Sequence, residues 1–198
     1  MIAVGNVDSI IDKICEEARK IIPGQNLGPV INKASQEKIE QYITEAESQG
    51  AKILVDGRNT TVPGKENGTY VGPTVIDFVT AQMSVATEEI FGPVISIMRA
   101  KTVDEALAIE NANPYGNAAS VFTQNGGMAR YIIERASAGM IGVNVGVPVP
   151  REPFSFGGWN ESKFGVGDIT GKSSIEFWTK LKKSTIKWNA EAGVNWMS

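Results

Sequence analysis

The 198-residue chain contains no histidine. Within it, that excludes Ser-His and Cys-His nucleophile pairs and the common His-containing zinc sites. Any catalysis must draw on carboxylates, lysines, the single cysteine or a bound cofactor. Cys15 has no second thiol to join, so no internal disulfide can form, which fits a reducing cytoplasmic compartment. No apolar run approaches the roughly 20 residues a membrane helix needs. Residues 1–5 are too short and too uncharged for a secretory signal. No charge sign dominates either: 19 basic against 22 acidic residues leave −3. The Lys and Arg are scattered, without the basic footprint of nucleic-acid or membrane binding. Internal repeats and low-complexity linkers are absent, so one compact unit is expected over residues 1–174, with a tail at 175–198.

What remains is ordinary globular material. Hydrophobic content of 42% suffices for a core, and the length suits one domain or a large piece of a bigger enzyme. The most informative stretch is residues 87–97, T-E-E-I-F-G-P-V-I-S-I. Gly92 permits close backbone approach, Pro93 fixes φ, and the β-branched run after it reads as a buried strand. Two acids and an aromatic ring are thereby held just ahead of a rigid element, where a polar, planar ligand could be gripped. A charged loop entering a strand is the competing reading.

Helix and strand signals alternate along the rest. Residues 7–22 predict an amphipathic helix capped by Asp8 and stopped by Pro23-Gly24, with Val7, Ile10, Ile11, Ile14, Ala18, Ile21 and Ile22 on its apolar stripe. Cys15 lies inside it without a neighbouring base, and Glu16 and Glu17 should raise its pKa, so we assign it to structure. A second helix is expected over 33–48, capped by Asn32, with Ile39, Tyr42, Ile43 and Ala46 inward. A third is expected over 103–111 with Thr102 and Glu105 as a capping box, and a fourth over 129–138. Residues 1–4 read as the tail of a strand, further strands are expected at 52–55, 70–76, 94–97 and 140–144, residues 113–123 read as a turn feeding a buried strand, and 56–68 is a polar excursion. This alternation predicts an α/β fold, a mostly parallel sheet flanked by helices. Residues 145–150 form a proline-punctuated apolar loop. The glycines at 165, 167 and 171 are spaced G-x-G-x-x-x-G with no strand before them, so a dinucleotide fingerprint is rejected. Residues 175–188 read as a long lysine-studded strand.

Residues 88–94 resemble the E-E-I-F-G-P-V signature of the aldehyde dehydrogenase superfamily. Further motifs agree: L-G-P at 27–29, Y-V-G-P-T at 70–74, N-P-Y-G-N-A-A-S-V-F-T at 113–123 and G-V-N at 142–144. The resemblance covers all but the last few residues and implies the C-terminal part of that family's catalytic domain. By it, Glu89 would bind the ribose hydroxyls of the nicotinamide half of NAD, and Phe91 would lie beside the nicotinamide ring. Lys38 would help hold the adenosine-side ribose, although a solvated helix lysine is the competing reading. Val147, Pro148 and Phe156 would line the aldehyde pocket, with Arg151 a candidate for a substrate carboxylate or simply a solvated residue. The stretch 175–188 would pair with a neighbouring subunit in a homo-oligomer.

The V-G-V-P-V-P and F-S-F-G-G-W segments look most like the CoA-acylating branch, the methylmalonate-semialdehyde dehydrogenases. Those enzymes oxidise methylmalonate or malonate semialdehyde with NAD, lose CO2 and pass the acyl group to CoA, through a thiohemiacetal and a thioester on a cysteine. That cysteine lies in a G-x-x-C motif, which these residues do not contain. No catalytic residue is therefore assigned, no metal is expected, and the chain by itself is expected to be inactive. The alternative is a non-catalytic association domain that completes a partner chain.

Overall fold

The computed structural model describes residues 1–188. These divide into two compact units: Met1–Asn113 with Arg130–Ala136, and Pro114–Ala129 with the residues from Ser137 onward.

The first unit runs β1 (Ile2–Val4), α1 (Asp8–Arg19), α2 (Lys33–Ser48), β2 (Lys52–Val55), β3 (Thr74–Asp77), α3 (Ser84–Thr87), β4 (Val94–Ser96), β5 (Met98–Ala100) and α4 (Val103–Asn111). Its centre is β3, antiparallel to β2 and parallel to β4, with all four of its residues buried. β4 and β5 follow each other across Ile97, whose N–H donates to the Ile76 carbonyl at 2.8 Å, and β5 pairs in parallel with β1. Helix α2 buries Ile39, Tyr42, Ile43 and Ala46 against Val71, Ile76 and Val79. Helix α1 buries Ile11, Cys15 and Ala18, spaced by one and two turns, against Ala3, Val75 and Ile97.

Local chemistry explains where the elements stop. Asn32 accepts the Ser35 N–H at 2.8 Å and caps α2; Thr102 likewise accepts from Glu105 at 3.1 Å, while Glu105 reaches back to the Lys101 N–H. Asp8 does not cap α1. It is the helix's first residue, and its carboxylate takes a charge-assisted hydrogen bond from Arg99 Nη1 at 2.7 Å instead. The helix ends at Arg19, short of the expected residue 22, because Asn26 Oδ1 accepts the Ile22 N–H at 2.6 Å and turns the chain. Ile21 and Ile22 of the expected stripe are consequently exposed, and Ile10, inside the helix, is exposed as well. The expected strand over 70–76 shortens to β3, since Gly72-Pro73 interrupts the ladder. At Gly57 and Gly72 the two arms of the 56–68 excursion touch: the Gly72 N–H donates to the Gly57 carbonyl at 2.8 Å. A Cβ on Gly57 would sit 1.9 Å from the Gly72 oxygen.

The second unit holds β6 (Tyr115–Gly116), β7 (Ala118–Val121), the start of α5 (Gly126–Ile133), β8 (Met140–Val143), β9 (Trp159–Asn160) and α6 (Ser174–Trp178). β7 and β8 pair in parallel from Ala118↔Met140 to Val121↔Val143, and β6 pairs antiparallel with β9. Helix α5 begins three residues before the expected 129 because Asn125 Oδ1 accepts the Met128 N–H at 3.0 Å. The expected long strand over 175–188 is not formed. Residues 174–178 are helical, and 179–188 carry no regular secondary structure, since no neighbouring strand of this unit offers them a ladder. The remainder of that stretch's tail, 189–198, lies outside the described residues. Mixed α/β architecture with parallel pairing at β1–β5, β3–β4 and β7–β8 agrees with the predicted class, although the strands form short ladders.

One ionic contact ties α1 to the sheet. Arg99 Nη2 lies 2.6 Å from Asp77 Oδ2 and its Nε 3.0 Å from Oδ1, while its guanidinium stacks 5.0 Å from the Phe78 ring centroid. Burial works to raise the Asp77 pKa, but Arg99 and the Phe78 N–H outweigh it and hold the carboxyl below its usual range. A carboxyl so lowered contributes stability that is fully present above roughly pH 4, the unfolded value, and drains away as the pH falls through the folded one. Asp77→Asn should therefore cost about 1–3 kcal/mol at pH 7 and flatten the loss of stability below about pH 4. Urea titrations at pH 7 and pH 3 check both halves; an Asn variant that keeps the wild-type pH slope would assign that slope elsewhere.

Candidate functional site

The acidic loop ahead of β4 is fixed at both of its ends. On one side Glu88 follows α3 with its N–H on the Ser84 carbonyl at 2.8 Å. Its Oε2 accepts a short hydrogen bond from the Tyr42 hydroxyl on α2. On the other side Gly92 sits where a Cβ would come within 2.8 Å of the buried Ile39 side chain, and the Pro93 carbonyl accepts the Thr74 N–H of β3 at 2.8 Å. The residues between project outward. Phe91 adopts a left-handed φ of 54°, a costly conformation for a bulky residue, and its ring is 81% exposed. Glu89 is exposed and makes no hydrogen bond or ion pair among the described residues. Together they border an open cavity of about 510 Å³ that Glu88 also lines, with Val85, Val94 and Ser96.

This arrangement offers an ionised carboxylate able to accept two hydroxyl hydrogen bonds beside a flat apolar ring available for stacking. The Glu89 and Phe91 named from sequence are thus brought to one cavity. Lys38 does not line it; its ammonium lies 5.4 Å from the Tyr42 ring centroid.

No nucleophile accompanies the loop. Cys15 is 5% exposed inside the α1 core cluster and does not line the cavity. Burial raises its pKa above that of an ordinary thiol, Arg19 pulls the other way, and Asp12 and Asp77 raise it further. The acids that act on Cys15 are those two, not the Glu16 and Glu17 expected from sequence. Among the described residues no group of three His, Cys, Asp or Glu side chains could hold a metal ion.

Val147, Pro148 and Phe156 all belong to the second unit. Val147 is 75% exposed; Pro148 is half-buried and packs on Gly142 of β8, where a Cβ would be 2.8 Å away. Phe156 is half-buried, and its N–H donates to Thr170 Oγ1 at 2.9 Å. Arg151 is exposed. The glycines at 165, 167 and 171 all have positive φ and form turns closed by the Asp168 N–H on Ser173 Oγ at 3.0 Å, not a phosphate loop leading from a strand.

Sequence reasoning missed Tyr42 as a member of the site. It assigned the residue to the core stripe of α2, and the ring is indeed buried. The available signal was its hydroxyl, since a tyrosine among Ile and Ala must find a partner for its O–H when buried.

Comparison with known proteins accounts for most of the chain. The aldehyde dehydrogenase family model matches residues 2–184. A Drosophila melanogaster protein named as a probable methylmalonate-semialdehyde/malonate-semialdehyde dehydrogenase [acylating], mitochondrial, is 45% identical over 191 residues, 93% of this chain and 37% of that protein. Malonate-semialdehyde dehydrogenase 2 of Geobacillus kaustophilus is 38% identical over 95% of this chain and 40% of its own length. The crystal structure of methylmalonate-semialdehyde dehydrogenase from Oceanimonas doudoroffii superposes with a TM-score of 0.88 at 41% identity, covering 96% of this chain and 41% of that one. A Sinorhizobium meliloti 1021 structure named for the same activity and complexed with NAD gives 0.88 at 38% identity, with the same coverage. The chain thus spans about two fifths of the length of these relatives. With the family model running over nearly every residue, the chain belongs to the aldehyde dehydrogenase family.

Proposed function

We propose that this chain supplies the nicotinamide side of an NAD site within an aldehyde dehydrogenase that oxidises methylmalonate or malonate semialdehyde and passes the acyl group to CoA. The observation that carries the reading is Glu89 and Phe91 on one pinned loop, the carboxylate unpartnered among the described residues and the ring bare to solvent. The ribose diol suits the first and the nicotinamide plane suits the second. When bound, NAD accepts the hydride from the aldehyde carbon. This chain's own contribution is orientation: Glu89 fixes the sugar, Phe91 covers one face of the cavity, and neither moves a proton or attacks a carbon. Attack on the carbonyl requires a thiolate, and Cys15, buried and neutral, does not provide it. Lys38 stays a proposal for the far ribose, and Val147, Pro148 and Phe156 for the aldehyde pocket wall.

Residues 1–174 are accordingly read as part of a catalytic domain, and 175–198 as a segment for association with further copies. Supporting the second point, Trp178, Leu181, Ile186 and Trp188 are all strongly exposed, more apolar surface than a solvated end needs. The same observation favours the other reading, a non-catalytic module that completes a partner chain; the mass in solution with and without residues 175–198 separates them. No helix among the described residues is long and apolar enough to cross a membrane, and a lone buried thiol suits the cytosol.

Incubated alone with NAD, CoA and malonate semialdehyde, the chain should give no NADH absorbance; turnover would refute its dependence on a thiolate from elsewhere. Native Cys15 should also resist Ellman's reagent and react only after denaturation, whereas rapid labelling would place the thiol in solvent. Mixed with the complementary N-terminal part of the Oceanimonas relative, the chain should regain NADH formation. In that assembly Glu89→Gln should raise the KM for NAD about tenfold or more, the factor lost when a charge-assisted hydrogen bond weakens. An unchanged KM would remove Glu89 from the site.

A further inference from the structure

We propose that Tyr42 is a positioning residue that decides which acid of the Glu88-Glu89 pair faces the ligand. Two adjacent carboxylates on a loop are chemically equivalent, and nothing in their own side chains selects one. The backbone at Glu88 is extended, with φ −111° and ψ 146°, so successive side chains point to opposite sides. The Tyr42 hydroxyl donates to Glu88 Oε2 and draws that carboxylate toward α2. Both carboxylates border the cavity, but Glu88 is taken up by the tyrosine, whereas Glu89, turned the other way by the alternation, has no partner among the described residues.

A second contact from the same helix face prevents the loop from turning about this single tether. Ile39, three residues before Tyr42 and thus its neighbour on the helix surface, is 1% exposed. It meets Gly92 so closely that a Cβ there would lie 2.8 to 3.0 Å from three of its carbons. The loop is clamped at residues 88 and 92 by one face of α2, leaving residues 89–91 as the projecting span. The left-handed backbone of Phe91 is a conformation that persists only when its surroundings enforce it, and the two clamps supply that enforcement. Tyr42 never touches the ligand; it acts through Glu88. The consequence for binding rests on the cofactor reading given above, whereas the clamp itself does not.

Hydrogen exchange on the chain, read at the amides of residues 88 and 94, which donate to the Ser84 and Gly92 carbonyls at 2.8 Å, beside a urea titration of each variant, tests the clamp without any ligand. Tyr42→Phe keeps the ring and its packing and removes only the donor, and should speed exchange there about tenfold beyond any change in the exchange of β3. Glu88→Ala should match it, while Glu88→Gln, which retains a carbonyl acceptor for the hydroxyl, should stay within about twofold of wild type. Equal exchange in Tyr42→Phe, or acceleration no greater than the global loss of stability, overturns the proposal. NADH titration of the same variants in the reconstituted assembly then isolates the ligand step. Weaker binding by Tyr42→Phe with near-normal binding by Glu88→Gln supports positioning, and equal affinities in all three overturn it. Faster exchange at residues 88 and 94 with no NADH binding to any form, wild type included, upholds the clamp and removes the cofactor reading instead.

Discussion

The described structure of the first unit hangs on β3. Four residues, Thr74, Val75, Ile76 and Asp77, are each no more than 2% exposed, and both edges of the strand are hydrogen-bonded, to β2 on one side and β4 on the other. Val75 faces the cluster under α1 and Ile76 the cluster under α2, so the alternation of a single short strand joins two apolar cores. A burial of this kind leaves no room for register error, since a shift of one residue would swap which core each side chain enters. It also accounts for the one buried acid among the described residues: Asp77 lies at the strand's end, where Arg99 from β5 can reach it and carry the charge outward to Asp8.

The acidic loop before β4 inherits its precision from that strand. The Thr74 N–H donates to the Pro93 carbonyl, which fixes where β4 begins, and α2, packed on the same sheet through Ile43 and Ile76, fixes where the loop starts. Chemistry that needs a carboxylate held within a fraction of an ångström gains more from such second-hand rigidity than from any extra contact to the ligand. Comparison with relatives of the aldehyde dehydrogenase family shows a shared backbone over nearly the whole chain, and the short acidic stretch before β4 is where that shared backbone presents unsatisfied chemistry.

Much of this was legible in the sequence because the deciding interactions are local. Asn32 and Thr102 announce their helices through side chains that bond three residues on. Pro93 and the β-branched run after it announce β4 in the same way. The errors fall where a distant residue competes for a local one. Asp8 has the chemistry of a cap, but a guanidinium 91 residues away claims it. Ile21 and Ile22 continue the helical period, but Asn26 takes the amide the helix would need. Tyr42 looked like filling for a core, and its partner lies 46 residues off. The β-rich composition of 175–188 speaks for a strand, yet a strand needs a neighbour, and propensity cannot supply one. The pair β6–β9 escaped notice for the opposite reason, being two residues long on each side and without periodicity to read.

The touching glycines at 57 and 72 carry a consequence for how the protein can be altered. They form a throat closed by their backbones and by the Thr60 hydroxyl, which donates to the Gly57 carbonyl at 2.8 Å, and just beyond it Val62 is buried against Gly24, so the path of the chain is settled again before its tip. Residues 63–68 outside that point are all solvated. Lengthening the tip adds only a slowly growing entropy of closure, and none of it is transmitted through the throat to β3. The tip is therefore the place where evolution, or an experimenter attaching a fluorophore or an affinity handle, can write freely on this unit without disturbing its core.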